Sequence, residues 1–94
     1  MQISQQDNGQ TGLFFIKNDK GQQIAKMTYV YRDKNLIDIN HTFVDPSLRG
    51  QGVAHKLFDA AIAFANDKQL KIIPTCSYAV TMFERLPEYQ HLRY

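Results

Sequence analysis

The pair Gly50 and Gly52 constrains this chain more than any other feature, because the hydrophobic period changes across it. Upstream, residues alternate as they do on strands. Along Leu36–Val44, Ile37, Ile39, His41 and Phe43 fall on one face, and Leu36, Asp38, Asn40, Thr42 and Val44 on the other. Downstream, Val53, Leu57, Ala61, Phe64 and Ala65 recur at helical spacing, with Ala54, Phe58 and Ile62 widening the stripe. That spacing predicts a helix over 53–68.

The remaining segments fall into place around this change. Polar turns at Asn18–Gly21 and Arg32–Asn35 divide strands at Leu13–Lys17, Gln22–Tyr31 and Leu36–Val44. The polar start, with Asn8, Gly9 and Gln10, reads as a short edge strand and a turn. After the helix, Lys71–Thr75 reads as a short strand and Ala79–Leu86 as a second helix. The expected fold class is α+β. An antiparallel N-terminal meander leads into a parallel, right-handed β-α-β crossover, giving a mixed sheet with two helices.

Ninety-four residues make one domain, spanning 1–94. A net charge of +2 is compatible with an anionic small-molecule partner, and no clustered Lys/Arg stripe calls for nucleic acid. Cys76 is the single cysteine, so neither an internal disulfide nor a thiolate zinc framework is expected. His41, His55 and His91 lack metal-ligand spacing, and no metal site is expected. The N-terminus has neither a basic nor an apolar signal region, and no stretch is apolar enough to span a membrane. The expected compartment is the cytoplasm.

A helix start leaves its first amide N–H groups unpaired and carries partial positive charge. Such an end ordinarily attracts acids. Here Arg49, His55 and Lys56 surround it, the first acid is Asp59, and no Ser, Thr, Asp or Asn immediately precedes Val53. This composition suits a helix whose donors receive a phosphate, with Gly50 and Gly52 letting backbone approach the anion. The P-loop pattern is absent, and the dinucleotide G-x-G-x-x-G pattern meets His55 where its third Gly belongs. The pattern [RQ]-x-x-G-x-[GA] is met by Arg49, Gly52 and Ala54.

On these residues, and on the wider stretch Thr42–Leu57, the chain resembles the GNAT superfamily of acyl-CoA N-acyltransferases. The resemblance implies acetyl-CoA as cosubstrate, its pyrophosphate held by Arg49, Gly50, Gln51, Gly52, Val53 and Ala54, with charge from Arg49 and Lys56. It implies a pantetheine arm beside Thr42, Phe43 and Val44, pairing with Val44 as a strand would. An amide at Thr42 would face the thioester carbonyl. The implied activity is acetyl transfer to a primary amine, on a small molecule or a lysine; the alternative is a CoA-binding sensor without turnover. Relative to a full-length member, the helical segment between the first strands and the final strands are missing, which implies an open site suited to a large acceptor. The acceptor and the oligomeric state are not written in the sequence.

Two side chains are candidates for the chemistry. Asp38, on the face expected for Thr42, is placed to accept the ammonium proton. The family often places a tyrosine acid on the last helix, but the matching position here is Phe83, which has no proton to give. Cys76 is the substitute, as an acid toward the coenzyme A thiolate or as a transient acetyl carrier. Tyr78 and Tyr89 are further acid candidates, and a packing role is the alternative for each of these residues.

Overall fold

The computed structural model describes residues 2–94. Strands β1 (Ser4–Asp7), β2 (Thr11–Lys17), β3 (Gln23–Asp33) and β4 (Leu36–Val44) form an antiparallel meander. A 3₁₀ turn, Pro46–Leu48, leads to helix α1 (Val53–Lys68), then to β5 (Lys71–Pro74), α2 (Ser77–Arg85) and a 3₁₀ segment, Pro87–Leu92. β5 joins the sheet parallel to β4, giving the order β1-β2-β3-β4-β5. This is the mixed sheet with two helices that the periodicities imply.

Both helices cover the same face of the sheet. Val53, Leu57, Phe58, Ala61, Ile62 and Ala65 of α1 are buried against Phe14, Ile16, Met27, Ile37, Ile39 and Ile72. Phe58 joins the helices: its ring centroid lies 5.4 Å from that of Phe83 on α2, at 81°. The other face carries no helix among the described residues. At the sheet's outer edge, the amide of Tyr94 donates to the carbonyl of Ile72, so the chain end partly covers β5.

One extra residue in β4 decides which side chains share a face. Tyr29 pairs with Ile39, but the next residue back, Thr28, pairs with His41, leaving Asn40 as a bulge. Beyond it, Thr42 and Val44 stand opposite Met27 and Ala25, two core residues. The expectation that Asp38, Asn40, Thr42 and Val44 share one face therefore fails. Thr42 and Val44 lie on the helix-covered side, whereas Asp38, His41 and Phe43 lie on the bare side. Thr28 Oγ1 holds the bulge by a 2.6 Å hydrogen bond to Asn40 Oδ1.

At the opposite end of the helix-covered face, Tyr29 crosses Gly12, its partner on β2. A Cβ at residue 12 would collide with the phenol ring, so no larger residue fits. The phenols of Tyr29 and Tyr31 both donate to Asp7 Oδ2, at 2.6 and 2.7 Å. Burial and the hydrogen bond to Asp7 push Tyr29 well above the usual phenol value and Tyr31 up to about 12. A folded-state value raised above 10 means the stabilisation is complete below that pH and is lost as pH rises toward 12. Melting temperature is thus expected to fall above pH 10 in step with late-titrating tyrosines seen by ultraviolet absorbance. In Asp7→Asn, Tyr31 should titrate earlier; unchanged titration contradicts the assignment.

Candidate functional site

The turn before α1 is built from two left-handed glycines. Gly50 has φ 80° and Gly52 φ 69°, a region that glycine enters without steric cost. The 3₁₀ turn ahead of them is fixed by Asp45, whose Oδ1 accepts from the Ser47 amide at 2.9 Å. That amide and the Ser47 side chain hold the Asp45 carboxyl below the usual carboxylate range. Gly52 is the N-cap of α1 and supplies no side-chain acceptor, and the first turn has no acid. Gln51 donates back to Leu48, and Lys56 makes the first helical bond to Gly52. The amides of Gly50, Gly52, Val53, Ala54 and His55 find no acceptor among the described residues.

The space above this turn is open. A Cβ at Gly50 or Gly52 would meet nothing within 4 Å. A cavity of about 300 Å³ lies there, lined by Val44, Leu48, Gly52, Val53, Ala54 and Tyr78 among others. Arg49 and Lys56 are exposed, and His55 pairs with Asp59 at 3.4 Å. An anion with several oxygens fits this donor set: five unpaired amides, the positive end of a 16-residue helix, and Arg49 at the cavity wall.

The second part of the site is the gap where β4 and β5 separate. Their pairing stops at Ile39 and Pro74, and the carbonyl of Ile39 then accepts from both Thr75 and Cys76. Pro74 has no N–H to continue a ladder. Beyond Ile39, β4 keeps its partner on the β3 side alone. The Asp45 amide bonds to Ile24 of that neighbouring chain segment, so backbone alternation turns the N–H and C=O of Thr42 and Val44 toward the gap. An amide-bearing arm can pair there as a strand would.

Cys76 closes the far side of the gap. It is the N-cap of α2, its Sγ accepting from the Ala79 amide at 3.4 Å. The same sulfur lies 3.4 Å from Thr42 Oγ1. Thr42 and Cys76, 34 residues apart, are thus brought together by the bulge and the α2 cap. His41 is exposed on the other face and does not approach them.

Asp38 occupies the bare face, beside the point where the strands part. It is 4% exposed, with Oδ2 held at 3.0 Å by Arg32 and Oδ1 buried with no partner. Phe43 is exposed on the same face. A wider concavity of about 690 Å³ runs across this face from Gln6 and Asn8 through Leu13 and Thr28 to Asn40.

The sequence assigned neither Leu48 nor His55 to the site, and it offered Tyr78 only as an acid candidate. Leu48 and His55 line the cavity from within the Gly turn itself, and Tyr78 lines it from α2. Phe83, the position where the family's tyrosine was expected, is fully buried against Phe58. Among the described residues, no group of three or more His, Cys, Asp or Glu is placed to hold a metal. Among the same residues, no helix is long and apolar enough to cross a membrane.

Comparison with known proteins bears on the fold and the family. A family model described as GCN5-related N-acetyl-transferase matches residues 13–92. The solution structure of a GCN5-like protein from Staphylococcus aureus superposes with a TM-score of 0.78 at 38% identity, covering 99% of this chain and 87% of that one. Human protein NATD1 is 35% identical over 68 residues, which is 72% of this chain and 60% of NATD1. Chicken NATD1 is 34% identical over 70 residues, 74% of this chain and 64% of the relative. The chain therefore spans less than two thirds of the length of these NATD1 proteins. An aminoglycoside N-acetyltransferase solved with CoA shares the fold, with a TM-score of 0.65 at 18% identity over 99% of this chain and 90% of that one. This chain belongs to the GCN5-related N-acetyltransferase family.

Proposed function

We propose that the chain transfers the acetyl group of acetyl-CoA to a primary amine. The observation that carries this reading is the run of unpaired amides from Gly50 to His55, beside an open cavity and without an acid in the first helical turn. Acetyl-CoA, when bound, supplies the activated acyl group. The amides and Arg49 hold its diphosphate, and the outward edges of Thr42 and Val44 align its pantetheine arm. The Thr42 amide stabilises negative charge that develops on the thioester oxygen.

Proton movement is assigned to the two faces of the sheet. The acceptor approaches from the bare face, and Asp38 takes the ammonium proton, directly or through water, to leave a neutral amine. That amine forms the new C–N bond as the C–S bond breaks. Cys76, on the helix-covered side, gives its proton to the departing thiolate and recovers one from the nitrogen of the new amide. Two features support Cys76 in the place of the usual tyrosine: its contact with Thr42 across the gap, and a phenol-free, fully buried residue 83.

Release of free thiol from acetyl-CoA in the presence of an amine panel tests the function, with lysine peptides and small primary amines as separate arms. Amine-dependent release above the hydrolysis background is expected. Release that no amine stimulates, alongside tight acetyl-CoA binding, favours the non-catalytic CoA-binding module instead. The absence of a phenol at residue 83 is the feature that keeps that second reading in play.

A further inference from the structure

We infer that the bare face of the sheet docks an acidic peptide, which presents a lysine to Asp38 and lays carboxylate side chains on Lys26 and Lys17. This rests on the acetyl-transfer reading above and narrows its acceptor from any primary amine to a lysine in an acidic segment.

The distribution of charge on that face carries it. Lys26 stands between Phe15 of β2 and Phe43 of β4 in the strand register. Phe15 alternates with Phe14 and Ile16 of the core, so these three residues face away from the helices. Lys17 joins them, its Nζ 5.6 Å from the centroid of the Phe15 ring. Among the described residues, no carboxylate forms an ion pair with either ammonium. The nearby acids are otherwise engaged. At the rim of the concavity, Asp7 accepts from two phenols through Oδ2 and from the Gly9 amide through Oδ1. Asp33, at the turn past Arg32, accepts from the Lys34 amide. Asp38 gives Oδ2 to Arg32, and its Oδ1 is buried with no partner. The face is thus complementary to a ligand with one cation at Asp38 and anions at Lys26 and Lys17.

The spacing sets the kind of ligand. Val30, the β4-facing partner of Asp38, lies four residues along β3 from Lys26, which is about 13 Å at about 3.3 Å per residue. A small amine does not span that distance. An extended peptide does, with its acids about four residues from the lysine. Between the two points, Thr28 and Val30 line the concavity together with the side-chain amides of Gln6, Asn8 and Asn40. Such amides both donate and accept, as a peptide backbone requires. A nucleic-acid strand instead calls for exposed rings to stack on, and Phe15 is only 5% exposed with Lys17 over it. The target ammonium enters beside Arg32, whose half-exposed side chain swings clear as Oδ1 gains its partner.

The test measures kcat/KM for three peptides that share one lysine and carry glutamate, glutamine or arginine about four residues to either side. At low salt the glutamate peptide should exceed the glutamine peptide about three- to tenfold, the range of one or two exposed ion pairs. The advantage should vanish in roughly 1 M salt. Lys26→Glu should reverse the order in favour of the arginine peptide. The milder Lys26→Gln, which keeps a long side chain between Phe15 and Phe43, should bring the three rates together. Three equal rates in wild type, or a glutamate preference that survives both variants, overturns the docking surface and leaves acetyl transfer standing. Turnover of small amines with no peptide acetylated does the same. If nothing is acetylated, the transfer reading fails, and anisotropy of the labelled peptides decides the surface alone. Tighter binding of the glutamate peptide, lost in Lys26→Glu, supports it; equal binding or none overturns it. A labelled oligonucleotide that outcompetes the glutamate peptide would assign the face to nucleic acid and overturn it too.

Discussion

Gly52→Asp is expected to lower acetyl-CoA affinity at least about 100-fold while the free protein keeps nearly its original melting temperature. The carboxylate would stand at the N-cap of α1, inside the volume now open above the turn. Two like charges about 4 Å apart near a protein surface repel by roughly 4 kcal/mol, more than the roughly 2.7 kcal/mol that 100-fold requires. The free protein gains and loses in similar measure. A left-handed backbone at residue 52 costs a non-glycine residue roughly 1–2 kcal/mol, and Asp tolerates it better than most. Against this, a negative charge beside the helix N-terminus contributes roughly 0.3–1 kcal/mol. Gly52→Ala separates the two effects, since it adds strain and a methyl group without charge. It should weaken binding far less than Asp. Equal loss in both variants would mean the turn binds through shape and not through its positive potential.

Cys76→Ala is expected to slow acetyl transfer about 100-fold or more with little change in acetyl-CoA affinity, the range usual for removal of a general acid. The substitution also removes the Sγ contact to the Ala79 amide, so a stability effect has to be kept apart from a chemical one. Cys76→Ser does this. Serine is a strong N-cap and should hold α2 in place, but its hydroxyl is a much weaker acid than a thiol, so turnover should remain low. Full activity in both variants contradicts any role for residue 76 in the reaction. Intact mass after exposure to acetyl-CoA adds a further distinction. The acid role predicts no acetyl adduct, and an adduct that forms in wild type and vanishes in Cys76→Ala would replace it with covalent relay through the sulfur.

The bounds of β4 and α1, Leu36–Val44 and Val53–Lys68, were legible because each segment obeys one period and the glycines punctuate the change. The uncapped, acid-free start of α1 was legible for a related reason: it is a local property of a few consecutive residues. What the sequence hid depends on partners far along the chain. Asn40 looks like any other strand residue until its pairing with β3 is known, and that one bulge moves Thr42 to the side of Cys76 and leaves Asp38 behind. The start of α2 at Ser77, two residues before the stripe suggests, follows from a cysteine acting as cap, a residue with little capping preference. Gly12 is explained by the ring of Tyr29, 17 positions later in sequence and adjacent across the sheet. The unpartnered oxygen of Asp38 and the placement of Tyr78 belong to the same category, since burial and cavity walls come from assembled elements.

The most direct measurement is an acetyl-CoA titration followed through the backbone amide resonances of the wild-type protein. The account predicts saturable shifts concentrated at residues 50, 52, 53, 54 and 55, whose N–H groups lack acceptors, with a second set at Thr42 and Val44. Amide resonances at the glycine turn that stay unmoved under saturating ligand, or shifts confined to the bare face of the sheet, would contradict it.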